Sequence, residues 1–195
     1  LTAFLATAVV FILINVNPIE ATKILIYGAF GYEEGIGYTL YYTTNFIFTG
    51  LAVAVAFHAG LFNIGGEGQA YIGGLGTALV ALYIDPTLSA WLIIPLGIFG
   101  GLLFGAMWAI IPAYLQAYRG SHIVITTIMF NFLASALMVY LLVHVLREMG
   151  QMSPQSRDFP DSAWIPFVHE VFAGMGIKIA QSPLNLSIFI ALIFS

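Results

Sequence analysis

Residues 58–74 read HAGLFNIGGEGQAYIGG and lie between two runs that are almost wholly apolar. This glycine-rich segment holds six glycines, an asparagine, a glutamine and the carboxylate of Glu67. Glycine allows a positive φ and lets another element approach the backbone closely, neither of which a regular apolar helix requires. The segment therefore predicts a break in helical structure, and Glu67 within it needs a structural or a functional explanation.

The composition is that of an integral membrane protein. Apolar residues make up 61% of the 195 residues and charged residues only 7%, whereas a soluble domain carries roughly 25% charged residues. The apolar runs are long enough for helices and do not alternate as the strands of a membrane barrel do. The net charge of −4 rests on five basic and nine acidic residues, which makes nucleic acid an implausible partner. The absence of cysteine excludes disulfides and thiol catalysis.

The distribution of apolar residues predicts an all-α fold, a polytopic helical membrane protein with about six transmembrane helices. The glycine-rich segment would form a broken-helix loop between the second and third helices. The third span has 16 residues, and because a full crossing takes about 20, we expect it to start inside the bilayer or to be supported by protein. The predicted spans are residues 1–16, 40–57, 69–84, 90–115, 123–146 and 184–195.

The two ends of the sequence, Leu1 and Ser195, both lie inside apolar runs. We therefore expect one transmembrane domain over residues 1–195, truncated at both ends. No basic flank or small-residue cleavage pattern marks the first sixteen residues as a signal peptide.

The segments between the spans carry their own signals. Residues 18–30 indicate a short amphipathic helix at the membrane interface, after a helix end at Asn17-Pro18. Residues 147–183 form a polar excursion too long for a simple turn, so we expect it to be partly helical. The expected breaks and turns are at Gly28, Gly31, Gly35 and Gly37 before the second span, and at Asp85-Pro86 after the third.

Small residues recur every four positions in the predicted fourth span, at Gly97, Gly101, Gly105 and Ala109. Membrane helices approach one another closely along such a small-xxx-small seam. The seam indicates helix packing and carries no information about chemistry.

Glu67 has two explanations. A carboxylate in the first turn of a helix faces unpaired backbone N–H groups and the positive end of the helix dipole, and Asn63 could cap the same helix start. Alternatively, Glu67 is a gate or substrate contact, because ionisable groups inside membranes usually mark pathways. The glycines are compatible with both explanations, and we favour the functional one.

Thr127, Asn131 and Ser135 are four residues apart in the predicted fifth span and so form one polar stripe on a helix. A lipid-facing asparagine would leave its amide unpaired, so the stripe must face other helices or a water-filled path. Hydrogen bonding between helices, worth about 0.6 kcal/mol on average, and lining of a pathway are left as equal alternatives.

The remaining chemistry-bearing residues form no recognisable catalytic or metal site. The four histidines, at positions 58, 122, 144 and 169, lack metal-ligand spacing. The sequence contains no HExxH, GxSxG or GxxxxGK[ST] motif, so this chain has no phosphate-binding loop with which to hydrolyse ATP. We predict no catalytic residue, metal or cofactor.

Two stretches carry a resemblance to a known family. GLAVAVAFHAGLFNIGGEGQAYIGG at residues 50–74 and RGSHIVITTIMFNFLA at residues 119–134 resemble the permease subunit of bacterial ABC importers for nucleosides. That family belongs to the branched-chain amino acid and simple sugar permease group. The stretches NPIEATKILIYGAFG and IPAYLQAYRGSH match it in kind and order, so the resemblance covers nearly the whole chain. Ile123 departs from the pattern, since many relatives have glutamate there.

The resemblance implies a transmembrane permease domain in the bacterial inner (plasma) membrane, with its N-terminus in the cytoplasm. It implies as partners ATPase subunits, a second permease subunit, homologous or identical, and a periplasmic substrate-binding lipoprotein. The solute would be a nucleoside or a simple sugar, and a cytoplasmic coupling helix would follow Ser195. The basic residues weakly favour the opposite orientation, because Lys23, Arg147, Arg157 and Lys178 then lie on the cytoplasmic side.

The residues that we predict to form the substrate pathway or gate come from the two resembling motifs: Asn63, Gly65, Gly66, Glu67, Gln69, Thr126, Thr127 and Asn131. The alternative from composition alone is an ion-coupled secondary transporter with Glu67 at a broken-helix ion site. An intramembrane enzyme with Glu67 as general base is a weaker alternative, because no nucleophile, metal cluster or second acid lies near it in sequence.

Overall fold

The computed structural model describes residues 2–85 and 87–195. Leu1, in the predicted first span, and Pro86, in the predicted turn, lie outside the described residues. Helix accounts for 72% of the described residues, which contain no strand, and this confirms the predicted all-α class. The helices are α1 (Thr2–Leu13), α2 (Pro18–Phe30), α3 (Glu33–His58), α4 (Gly66–Tyr83), α5 (Ala90–Arg119), α6 (Ile123–His144), α7 (Val168–Gly174) and α8 (Ser187–Phe194), with a 3₁₀ turn at Asp161–Ala163.

Among the described residues, three helices are long and apolar enough to cross a membrane: α3, α5 and α6. The pair α1 and α2, bent by 116°, would make a fourth if it is one span. On these helices large apolar side chains face outward: Leu102 is 67% exposed and Phe132 73% exposed. Lipid accommodates such surfaces at no cost, whereas water does not. The predicted count of six spans stays a prediction, because α4 and α8 do not meet the same criteria of length and composition.

The chain forms two compact units. The first contains the residues up to Phe48 together with those from Pro166 onward, and the second contains Thr49–Ile165, so that α3 begins in one unit and ends in the other.

The predicted helix start at Asn17-Pro18 is confirmed in the first unit. The side chain of Asn17 accepts a hydrogen bond from the backbone N–H of Ile19 at 3.0 Å, and Pro18 occupies the first helical position of α2. Both features are typical of helix N-termini, because the early N–H groups have no partner within the helix.

The prediction that Gly28, Gly31, Gly35 and Gly37 all interrupt helical structure is wrong, and Gly28 lies inside α2. Only Gly31 ends a helix, and α3 begins at Glu33 rather than Leu40. Gly35 and Gly37 are buried inside α3, and other segments approach them closely. A Cβ at Gly35 would collide with the carbonyl oxygen of Gly28, and one at Gly37 with the side chain of Ser182. These glycines permit close contact between segments, which is a second use of glycine besides breaking a helix.

The predicted partly helical character of the polar excursion is confirmed by α7 and the 3₁₀ turn. In the first unit, backbone hydrogen bonds hold the end of the excursion. The backbone N–H of Val168 donates to the carbonyl of Leu184 at 2.9 Å. The N–H of Ala180 donates to a carboxylate oxygen of Glu33 at 3.2 Å, which ties the excursion to the start of α3.

In the second unit α4 packs chiefly against α5, along glycines of both helices. A Cβ at Gly76 would collide with the carbonyl oxygen of Gly100, and one at Gly73 would lie 3.2 Å from the carbonyl oxygen of Gly101. The hydroxyl of Thr77 donates to the carbonyl of Gly97 at 3.0 Å. The predicted seam on α5 thus faces α4, and Gly100 joins it because positions three and four apart share one helix face.

The short helix α4 is supported by protein on two sides, as its length led us to expect. It packs against α6 as well as α5. Its buried residues are Gly68, Ile72, Leu75, Gly76 and Ala81. A helix that contacts protein over much of its surface needs neither the length nor the uniform apolarity of a lipid-exposed span.

We expect Gly100→Ala to destabilise the full-length protein, because its methyl group would lie 2.8 Å from Val80 Cγ2 and 2.9 Å from the carbonyl oxygen of Gly76. Overpacking of this kind costs about 1–3 kcal/mol, which thermal unfolding in detergent should register as a lower melting temperature. Gly74→Ala is the matched control, since no atom lies within 4 Å of the new methyl group. Equal melting temperatures for the two variants would contradict the close packing of α4 against α5 along the seam.

Candidate functional site

The glycine-rich segment contains a non-helical loop at residues 59–65, after which α4 begins at Gly66. Gly60 in this loop has φ +73°, a conformation that only glycine adopts without strain. Gly65 occupies the N-cap position of α4 and has no side chain with which to cap it. The first N–H groups of α4 therefore need partners from elsewhere.

Asn63 does not cap α4, contrary to the sequence-based expectation. Its side-chain oxygen accepts a hydrogen bond from the N–H of Gly65 at 2.8 Å, two residues on, which closes a local turn. Its amide nitrogen donates to the side-chain oxygen of Gln69 at 3.4 Å. Capping would require a bond to the second or third N–H of the helix, and Asn63 lies two residues before the N-cap position, Gly65.

The cap comes instead from Asn131 on α6. Its Oδ1 accepts a hydrogen bond from the N–H of Gly68, the third residue of α4, at 2.9 Å. Its Nδ2 donates to the carbonyl oxygen of Ile64, on the loop side of the break, also at 2.9 Å. We call this pair of hydrogen bonds the Asn131 clamp. One amide thus pairs with the N–H of Gly68 within the helix and with the C=O of Ile64 before it, because an amide side chain carries both a donor and an acceptor.

Close approach to α6 requires glycine at two positions of the segment, Gly65 and Gly68, both of which are buried. A Cβ at Gly68 would lie 2.9 Å from Asn131 Oδ1 and 3.1 Å from the carbonyl oxygen of Phe130. A Cβ at Gly65 would lie 3.1 Å from Thr127 Cβ. Gly66, in contrast, has no atom within 4 Å of its would-be side chain.

Glu67 lies in the first turn of α4, as predicted, and its side chain is exposed. Gly65 and Gly68 are three residues apart and face α6, so the intervening Glu67 is directed away from that helix. The carboxylate lies at the positive end of the dipole of α4. Its role as a gate stays a prediction.

The predicted pathway residues on α6, Thr126, Thr127 and Asn131, lie in two environments. Thr127 is only 1% exposed and donates to the carbonyl of Val124 at 3.2 Å. Thr126 bonds instead to the start of its own helix, to the carbonyl of His122 at 3.1 Å and the hydroxyl of Ser121 at 3.3 Å. Thr127 and Asn131 therefore meet the glycine-rich segment, whereas Thr126 does not contribute to these contacts.

Two residues of the site were missed by the sequence analysis. Gly68 could have been found, because the third N–H of a helix that begins near Gly65 is a capping position. Trp108 on α5 carried no sequence signal. Its ring packs edge-on against Phe130 with centroids 5.3 Å apart, and its buried Nε1 has no hydrogen-bond partner in the described part of the chain.

Within residues 2–85 and 87–195, no group of three His, Cys, Asp or Glu side chains is placed to hold a metal ion. What the site combines is an exposed carboxylate, a helix N-terminus, and a loop whose backbone is paired to a neighbouring spanning helix.

These features define a helical membrane protein in which a short helix packs against two long apolar helices. Residues 35–195 match the family described as "Branched-chain amino acid transport system / permease component". The chain belongs to this family of membrane permeases, which confirms the resemblance seen in the sequence.

Curated relatives are similar over much of this chain. A glucose ABC transporter permease protein of Haloferax volcanii is 34% identical over 85% of the chain and 43% of its own length. A nucleoside ABC transporter permease protein of Lactococcus lactis is 33% identical over 97% of the chain and 51% of its own length. A guanosine ABC transporter permease protein of Bacillus subtilis is 38% identical over 62% of the chain and 34% of its own length. The chain thus spans about half the length, or less, of these relatives. No solved structure matches it significantly.

Gly68→Ala should both destabilise the full-length protein and lower its transport activity, because the methyl group would push α4 away from Asn131. Relief of the crowding requires backbone movement, at a cost of about 1–3 kcal/mol. Gly74→Ala, on the same helix and unobstructed, is the control and should retain the stability and uptake of the wild type. Tolerance of both substitutions would show that α4 does not rest on α6 as described.

Proposed function

We propose that this chain is part of the transmembrane permease subunit of an ATP-binding-cassette importer that moves nucleosides, or a similar small polar solute such as a simple sugar, into the cytoplasm. Family membership over residues 35–195 carries the proposal. The names of the relatives support the solute class, since they are described as permeases for glucose, nucleosides and guanosine.

The proposal includes the assembly in which such a subunit works. Separate ATPase subunits supply the energy, a second permease subunit completes the pathway, and a periplasmic substrate-binding lipoprotein delivers the solute. The subunit is a multi-pass protein of the inner (plasma) membrane with about six helices in this part of the chain. The glycine-rich segment is then a broken helix at membrane depth, where irregular backbone must be buried in protein or line a cavity.

Within this assembly we assign the start of α4 to a gate. The pathway residues are those predicted from the motifs: Asn63, Gly65, Gly66, Glu67, Gln69, Thr126, Thr127 and Asn131. Glu67 acts through its charge at the loop rather than as a direct ligand, because a fixed anion gains little from a neutral nucleoside or sugar. The exposure of its side chain and of most of the loop at residues 59–65 supports a segment that can move.

The mode of energy coupling tests the function. The complete transporter, reconstituted in proteoliposomes with its binding protein, should take up radiolabelled nucleoside or sugar only when ATP is hydrolysed. Collapse of the proton gradient by an ionophore should leave this uptake unchanged. Uptake that needs no ATP and follows an imposed proton or sodium gradient would instead support an ion-coupled carrier with Glu67 at its ion site.

Substitution of Glu67 tests the gate. Glu67→Gln keeps the size and hydrogen-bonding capacity of the side chain and removes the charge, so we expect a changed turnover at normal protein amounts. Glu67→Gly should be worse, since it also loosens the loop. Glu34→Gln is the matched control, because Glu34 is likewise exposed in the first turn of a helix. If Glu67→Gln behaves like Glu34→Gln, the carboxylate only complements a helix dipole, a contribution of about 0.3–1 kcal/mol.

A further inference from the structure

The start of α4 rests on one face of α6 formed by Thr127, Phe130 and Asn131. These residues are three and four positions apart and so lie side by side on the helix. Thr127 lies against Gly65, while the Phe130 carbonyl and the Asn131 side chain lie against Gly68. We call this face the α6 cradle. The α6 cradle contacts the first turn of α4 and the loop that precedes α4.

The cradle is itself held in place. Thr127 is almost fully buried and bonds within its own helix. The ring of Phe130 packs edge-on against Trp108 of α5, a geometry that stabilises aromatic pairs by about 0.5–1.5 kcal/mol beyond burial. Asn131 therefore projects from a packed position on a long helix, not from a mobile loop.

The amide of Asn131 is already engaged through both of its ends. Oδ1 accepts from Gly68 and Nδ2 donates to Ile64, each at 2.9 Å. These backbone groups are four residues apart and would bond to each other only if α4 began one residue earlier, whereas in this structure each is paired to Asn131 instead. A solute that took over the amide would therefore break both hydrogen bonds and require the start of α4 to rearrange.

We propose that Asn131 is a positioning residue of the gate, which caps α4 from α6 and thereby sets the direction of Glu67, and that it does not bind the transported solute. This rests on the proposed function only in that the segment is called a gate; the clamp itself is independent of the solute. Because the clamp joins both sides of the break to one spanning helix, any movement of α6 carries the start of α4 and Glu67 with it.

The clamp can be tested without any variant or solute. First-turn N–H groups of a helix ordinarily lack partners and exchange readily with solvent hydrogen. We expect slow hydrogen–deuterium exchange at Gly68 in the full-length protein, slower than at the exposed neighbour Glu67. Equally fast exchange at both positions would overturn the proposal, whatever the protein transports.

Variants separate positioning from solute binding. Asn131→Asp keeps an oxygen that accepts from Gly68 but loses the donor to Ile64, so it should loosen the loop while the fold persists. A nitroxide spin label on Glu67→Cys, which adds the only cysteine of this sequence, should become more mobile in the Asn131→Asp background. Ser135→Ala, one turn along the same stripe, is the control and should leave the mobility of the label unchanged.

Transport kinetics give the second readout. For a positioning residue, Asn131→Asp should lower kcat with little change in KM, because gate movement and not solute contact is altered. An increased KM with unchanged kcat and unchanged label mobility would show that Asn131 binds the solute and would overturn the proposal. If the wild type proves to use no ATP, the exchange and label measurements still decide the role of Asn131, so failure of the proposed function is distinguishable from failure of the clamp.

Discussion

A break in a helix at membrane depth leaves backbone N–H and C=O groups that lipid cannot satisfy. In this protein the break before α4 is bridged by the Asn131 clamp, with the carbonyl of Ile64 on one side and the N–H of Gly68 on the other. Gly68 is buried, so an unpaired N–H there would cost about 1–3 kcal/mol, and these two hydrogen bonds stabilise the start of α4. The placement of Glu67, and hence the proposed gate, depends on them.

Glycine lets α4 approach both neighbouring helices, α6 and α5, closely. Gly65 and Gly68 let the helix start reach α6, and Gly73 and Gly76 let its middle lie directly against α5. With no hydrophobic effect between helices in lipid, such backbone proximity supplies much of the packing energy. The same glycines lower the hydropathy of α4, so its membrane position depends on its neighbours rather than on its own sequence.

The sequence predicted those features of the fold and site that depend on regular residue spacing. The long apolar helices, the four-residue seam facing α4, and the shared face of Thr127 and Asn131 all follow from helical periodicity. The two errors concern what glycine and asparagine do. Gly35 and Gly37 were expected to interrupt a helix but lie buried within α3, and Asn63 was expected to cap α4 but closes a local turn. Both residue types serve either purpose, and only their neighbours in space distinguish the two.

The sequence by itself determined that this is an apolar, helical membrane protein with a helix break next to Glu67, because composition and periodicity act locally along the chain. The permease family was indicated by the resemblance of its motifs. The tertiary structure decided which side chain caps α4. Asn131 lies 63 residues beyond Gly68, and no local rule relates the two. A helix N-terminus specifies only that acceptors are needed; which residue supplies them is a matter of how α4 and α6 come together in space.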